Sequence, residues 1–139
     1  MLRGAYKSII LIMRYRPNFE KGGGILPAIV QDYQTGKVLM LGYVNAEAFQ
    51  KTLETGLVHF YSRSRNKLWL KGETSRQYLY LREVYVDCDE DAILFKVVPV
   101  GAVCHEGYKT CFYRRLEGDS LVIVEERLVS PEELYGKKA

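Results

Sequence analysis

One helix signal stands among a succession of short β-rich runs, and that imbalance constrains the fold more than any other feature. Residues 45–55 carry the helix: Asn45 suits the N-cap, Glu47 lies in the first turn and Gly56 suits the stop. Ala48, Phe49, Thr52 and Leu53 fall on one face, which predicts packing against a sheet. Residues 27–33 and 37–43 predict two strands joined by a hairpin turn at Gln34-Thr35-Gly36. Residues 57–62 and 67–70 flank a basic segment, and residues 78–87 and 92–98 flank an acidic one. Residues 112–116 and 120–125 are expected to pair across Glu117-Gly118-Asp119, and residues 131–135 to form a short helix with Pro131 in its first turn. The sum predicts an α+β fold: one compact, sheet-rich domain over 139 residues with few helices.

Gly22-Gly23-Gly24 reads as a flexible joint that separates an N-terminal arm from the rest. Residues 8–13 are apolar and precede Arg14-Tyr15-Arg16. They form neither a span of ~18 apolar residues nor a secretory signal with its small-residue cleavage site. Residues 1–16 therefore read as part of the domain or as a loosely attached extension, in a cytoplasmic protein. A net charge of +3 is too mild to argue for nucleic acid. Most of the 11 tyrosines fall in strand-like runs and suit half-buried sheet positions.

Three cysteines are too few, and odd in number, for a disulfide framework. Cys88 is embedded in Asp87-Cys88-Asp89-Glu90-Asp91, and Cys104 and Cys111 bound the segment Cys-His-Glu-Gly-Tyr-Lys-Thr-Cys. Thiolates favour zinc, and carboxylates favour magnesium, manganese or calcium. In an extended segment, Asp87, Asp89 and Asp91 would point one way and Cys88 the other, a prediction that a tight turn would cancel. The acidic run is no EF-hand, since Ala92 stands where the loop glycine belongs and Val98 where the glutamate belongs. Three thiolates with an open position suit catalytic zinc, while His105 or His59 as a fourth ligand would close the site. Three thiolates also weaken zinc as a Lewis acid, so a nearby positive charge is needed, from a second metal, Lys109 or Arg114. His105, beside Cys104, is a candidate for proton transfer.

Arg63, Arg65 and Lys67 precede Lys71-Gly72-Glu73-Thr74-Ser75-Arg76. Arginine forks, hydroxyls and backbone N–H groups in such a stretch suit a phosphorylated substrate. Alternatives are a solvated hairpin end and RNA binding.

The motifs taken together resemble the phosphoribosyl-AMP cyclohydrolase family. The resemblance covers about residues 19–115 and rests on Leu-Pro-Ala-Ile-Val-Gln-Asp (26–32), Val-Leu-Met-Leu (38–41), Val-His-Phe-Tyr-Ser-Arg-Ser-Arg (58–65), Leu-Trp-x-Lys-Gly-Glu-Thr-Ser (68–75), Asp-Cys-Asp-x-Asp-Ala (87–92) and Cys-His-x-Gly-x-x-x-Cys-Phe-Tyr-Arg (104–114). It implies hydrolytic opening of the adenine N1–C6 bond of 1-(5-phosphoribosyl)-AMP, the third step of histidine biosynthesis. It implies zinc on Cys88, Cys104 and Cys111, shared between the subunits of an intertwined or closely packed homodimer, and magnesium on Asp87, Asp89 and Asp91. With that substrate, Arg63, Arg65, Lys71, Thr74 and Ser75 are the expected substrate-binding residues and His105 the expected catalytic one. The chain departs from the family pattern at Arg76 and Gln77, where glycine and then asparagine or histidine are usual, and at Glu106 and Thr110. Roughly 24 residues follow Arg115, too few for the pyrophosphohydrolase domain that some members carry, so a single-function form is expected. The rivals are a base deaminase, whose His-x-Glu and Pro-Cys-x-x-Cys signals are missing, and a zinc-stabilised RNA-binding module without catalysis.

Overall fold

The computed structural model describes residues 15–136; the apolar run at 8–13 lies outside them. Two antiparallel strands, β1 (Leu26–Asp32) and β2 (Val38–Val44), open the sheet. Helix α1 (Ala46–Thr55) follows, with the Asn45 side chain accepting from the N–H of Ala48. Next come the hairpin β3 (His59–Ser62) and β4 (Lys67–Leu70), and the long hairpin β5 (Leu79–Val86) and β6 (Ile93–Pro99). A third hairpin, β7 (Arg114–Glu117) and β8 (Ser120–Ile123), precedes α2 (Pro131–Tyr135). The main sheet has the order β2-β1-β6-β5. Its central pair, β1 and β6, is parallel, and the long crossover that such a pair requires contains β2, α1, β3, β4 and β5.

Among the described residues the sheet is covered on one side only. Leu26, Ala28, Val30, Leu39, Ile93, Phe95 and Val97 point into the core, where α1 buries the predicted Ala48, Phe49, Thr52 and Leu53. Phe49 packs against Phe95 at 6.5 Å and against Phe19 at 6.0 Å between ring centroids. Phe19 belongs to a 3-10 turn, Phe19–Gly22. The expected joint at Gly22–Gly24 therefore does not release the segment just before it: Phe19 is buried in the core, and Asn18 N–H donates to the Glu90 carbonyl at 2.7 Å. Burial of an aromatic ring outweighs the local freedom of three glycines. The result is a compact, sheet-rich domain with few helices, as expected, two of them α-helices among the described residues. No helix among the described residues is long and apolar enough to cross a membrane.

Candidate active site

The two halves of the predicted metal chemistry lie at opposite ends of the β5–β6 hairpin. Asp87–Asp91 forms the turn between these strands, whereas Cys104 follows the far end of β6. Seven residues of β6, Ile93–Pro99, place those ends about 20 Å apart at the usual rise per residue.

Residues 87–91 are not extended. Glu90 N–H donates to the Asp87 carbonyl at 3.0 Å, and Glu90 has φ +61°. Asp87 Oδ1 accepts from the N–H groups of Asp91 and Ala92 at 3.0 and 3.1 Å. This is a tight turn, so the alternation predicted for Asp87, Cys88, Asp89 and Asp91 does not apply. The turn itself gathers Asp87, Asp89 and Asp91, whose ligand oxygens lie within 4.8 Å of one another and could hold a hard cation. The Lys21 ammonium sits beside them, 3.3 Å from Asp91 and 3.9 Å from Asp89. Cys88 is exposed and its thiol donates to Asp89 at 3.1 Å; that bond and the Asp89 charge raise its pKa.

The cysteine loop is anchored on several sides. Cys104 is buried, and its N–H donates to the Tyr108 carbonyl at 3.0 Å. Cys111 N–H donates to Leu39 O at 2.7 Å, and the buried Thr110 hydroxyl donates to Val38 O at 2.8 Å. The Lys109 ammonium lies 3.0 Å from the buried carboxylate of Asp32. Burial would raise Asp32, but Lys109 and the N–H groups of Gln34 and Thr35 outweigh it and hold the carboxyl below its ordinary range. Gly107, at φ +94°, receives the N–H of Leu128 at 2.8 Å, and a Cβ there would meet Val129 O at 1.8 Å. Only glycine permits that approach of the C-terminal segment.

Within this frame the Cys104 and Cys111 thiols lie close enough for the charge of one to act on the other. Burial, then Cys104, pushes the Cys111 thiol up to about 11, while Lys71 acts in the opposite direction. Lys71 is thus the positive charge near the thiols. Lys109 is engaged by Asp32, and Arg114 lies over the Tyr113 ring at 5.3 Å. The Lys71 ammonium donates to Val103 O at 2.7 Å. Burial lowers its pKa, and the two cysteines oppose that shift. His59 is buried, with Nδ1 at 2.8 Å from Leu57 O.

A cleft of about 470 Å³ includes Lys71 and Tyr135, two groups that interact with Cys104 and Cys111. Arg65, Lys67 and the Ser62 and Ser64 hydroxyls line one part, Trp69, Lys71 and Glu73 another, and His105 and Tyr135 close it. His105 is largely exposed, with Nε2 at 3.3 Å from Glu106. Arg63, Thr74 and Ser75 lie outside this lining. Sequence reasoning passed over Trp69 and Tyr135. Trp69 pairs with Phe60 across the β3–β4 hairpin, and a lone tryptophan next to a basic turn was its available signal. Tyr135 arrives from α2 at the far end of the chain, where no spacing announces it. Its pKa is raised by burial, then by Cys104 and Cys111.

Arg76 has φ +65°. The position where the family usually carries glycine therefore adopts a glycine-like backbone here, with arginine in it. Gln77 takes its own place in the frame: its Oε1 accepts from Ala102 N–H at 3.0 Å, tying this loop to the segment before Cys104.

A profile of the phosphoribosyl-AMP cyclohydrolase family matches residues 40–113. The chain belongs to this family. It is 51% identical over 121 residues to phosphoribosyl-AMP cyclohydrolase of Desulfatibacillum aliphaticivorans, covering 86% of this chain and 97% of the relative. It is 55% identical over 113 residues to that of Methanothrix thermoacetophila, covering 81% and 91%. It is 46% identical over 128 residues to that of Methanothermobacter thermautotrophicus, covering 91% and 92%. The family makes the chain a hydrolase of histidine biosynthesis that acts on a phosphoribosyl nucleotide, which sets aside a module without catalysis.

Proposed function

We propose that the chain opens the adenine ring of 1-(5-phosphoribosyl)-AMP by adding water at C6, in the cytoplasm, with zinc and magnesium as cofactors. The observation that carries this reading is a cleft lined by basic groups, an indole and His105, two of whose lining residues, Lys71 and Tyr135, also interact with Cys104 and Cys111, in a chain of this family.

Both donor sets fit their ions. Two facing thiols suit a soft cation, and three converging carboxylates suit a hard one. Cys88 is too far along its own hairpin to join Cys104 and Cys111, so the third thiolate comes from a second copy, and the enzyme is a homodimer with Cys88, Cys104 and Cys111 as the zinc ligands. Asp87, Asp89 and Asp91 would hold magnesium, in place of their contacts with Lys21. Bound zinc supplies a water that is nucleophilic near neutral pH.

The chain's own groups do the rest. Arg65 and Lys67 grip phosphate at the cleft mouth, with Arg63, Thr74 and Ser75 reaching the second phosphate end. Trp69 offers an apolar wall to the purine. Lys71 offsets the charge of the thiolates. His105 takes the proton of the attacking water or returns one to N1. The water oxygen becomes the carboxamide oxygen, the N1–C6 bond breaks, and N1 leaves within the formimino group.

Ultraviolet absorbance of phosphoribosyl-AMP incubated with the purified protein tests this. Turnover that stops with chelator and returns with zinc and magnesium is expected. Absence of ring opening by folded, metal-loaded protein would sink the reading.

A further inference from the structure

Among the described residues nothing covers the β7–β8 hairpin. Every residue of both strands is exposed, and the two strands pair only with each other. A lone two-stranded hairpin is marginal in water, yet this one is regular, closing in a two-residue turn at Gly118-Asp119. Its register sorts the side chains into two faces. Leu116 lies opposite Leu121, and Ile123 opposite Arg114, all on one side; Arg115, Glu117 and Ser120 lie on the other with Val122. Leu116, Leu121 and Ile123 are 67%, 55% and 55% exposed.

The main sheet has the complementary need. On the side away from the core, Leu41, Ile29, Leu94 and Tyr85 lie in register across all four strands. Leu41, Ile29 and Tyr85 are exposed. Contiguous apolar surface of this kind marks an interaction site. Near the Asp87 turn the face dips into an apolar recess of about 200 Å³ beside Ile29, Tyr85 and Leu94.

We propose that the β7–β8 hairpin is an arm whose apolar face seats on the open sheet face of a second copy of this chain, in the recess beside Tyr85 and Leu94. This rests on the homodimer reading and names its contact. Two observations select a second copy as the occupant. Cys88 follows the Tyr85 end of the face, and Cys111 stands just before the arm. Bringing one copy's Cys88 to the other's Cys104 and Cys111 therefore brings the recess to the arm's root. The charges also match at the root: Arg115 is paired with Glu117 within the arm, but Arg114 begins it, and the recess is bordered by the turn that carries Asp87, Asp89, Glu90 and Asp91. The Val124 N–H on Tyr113 O at 2.9 Å extends the hairpin by one rung, and the Lys37–Glu125 ion pair at 2.7 Å ties its root to its own domain.

The test is sedimentation of the zinc-loaded full chain, wild type against Leu116→Glu/Leu121→Glu, with circular dichroism as the folding control and Ser120→Glu as a control on the polar face. The apolar-face variant is expected to stay folded and to dimerise at least about a hundredfold more weakly, since two buried leucines are lost; Ser120→Glu is expected to dimerise as wild type does. In wild type, hydrogen exchange of the arm amides is expected to slow on dimerisation. A variant that dimerises like wild type, or arm amides that exchange equally fast in monomer and dimer, overturns the arm and leaves the shared-thiolate reading standing. A wild-type monomer that binds zinc at full stoichiometry overturns both. An arm protected only when an unrelated protein is added also overturns the proposal.

Discussion

The acidic turn and the cysteine loop cap opposite ends of one hairpin, and they are built by contrasting means. The turn is local: Asp87 bonds the backbone of Asp91 and Ala92, and the carboxylates stay near water. The loop is global: β2, the Asp32 carboxylate, the Gln77 segment and the C-terminal segment all grip it. A local, exposed cluster can be changed at little cost to the fold. A loop tied to four other parts of the chain cannot, and its chemistry is correspondingly fixed in place.

The largest separation of the two regions comes from removing one ligand in each. Cys104→Ala is expected to lower turnover by at least about a thousandfold, together with loss of zinc by elemental analysis. Asp89→Asn is expected to leave stability within about 0.5 kcal/mol and to raise the magnesium concentration needed for turnover. Unchanged magnesium dependence would take the acidic turn out of the site.

Acid should expose the loop's anchor next. Asp32 has a lowered folded pKa, so its contribution is complete above the ordinary carboxylate range and is lost as pH falls through the lower folded value. Asp32→Asn is expected to cost roughly 3 kcal/mol near neutrality, because Lys109 loses its partner, and to flatten the acid limb of stability below about pH 4. Urea melts across pH measure both. Thr110→Val should cost about 1–3 kcal/mol by the same melts, since it removes the hydroxyl's bonds with Val38 O and Phe112 N–H, with zinc affinity falling alongside. The smallest effect has the opposite sign. Arg76→Gly should stabilise the protein by about 1 kcal/mol by relieving the left-handed backbone.

What could be read in the sequence follows the same division between local and global. Helix α1 was legible because Asn45, Gly56 and the apolar stripe all lie within twelve residues. The β1–β2 hairpin and α2 were legible for the same reason. The parallel β1–β6 pair was not, since more than sixty residues separate Ala28 from its partner Ile93. The spacing of Asp87, Asp89 and Asp91 pointed to a cluster that does form, but through a turn and not through strand alternation. Lys71, expected to bind substrate beside Arg63 and Arg65, does line the cleft, and its interaction with Cys104 and Cys111 is a tertiary contact that no spacing announces. Tyr135 reaches the cleft only through tertiary packing of α2.

The claim that one zinc site needs both copies is tested most directly by subunit complementation. Cys88→Ala and Cys104→Ala proteins are each expected to lack zinc and turnover. Mixed in equal amounts and allowed to exchange, half of the dimers carry one copy of each, and each such dimer holds one complete set of three thiols. About a quarter of wild-type activity and zinc should return. Zinc bound at full stoichiometry by Cys88→Ala alone, or no recovery from a mixture in which heterodimers have formed, would contradict the account.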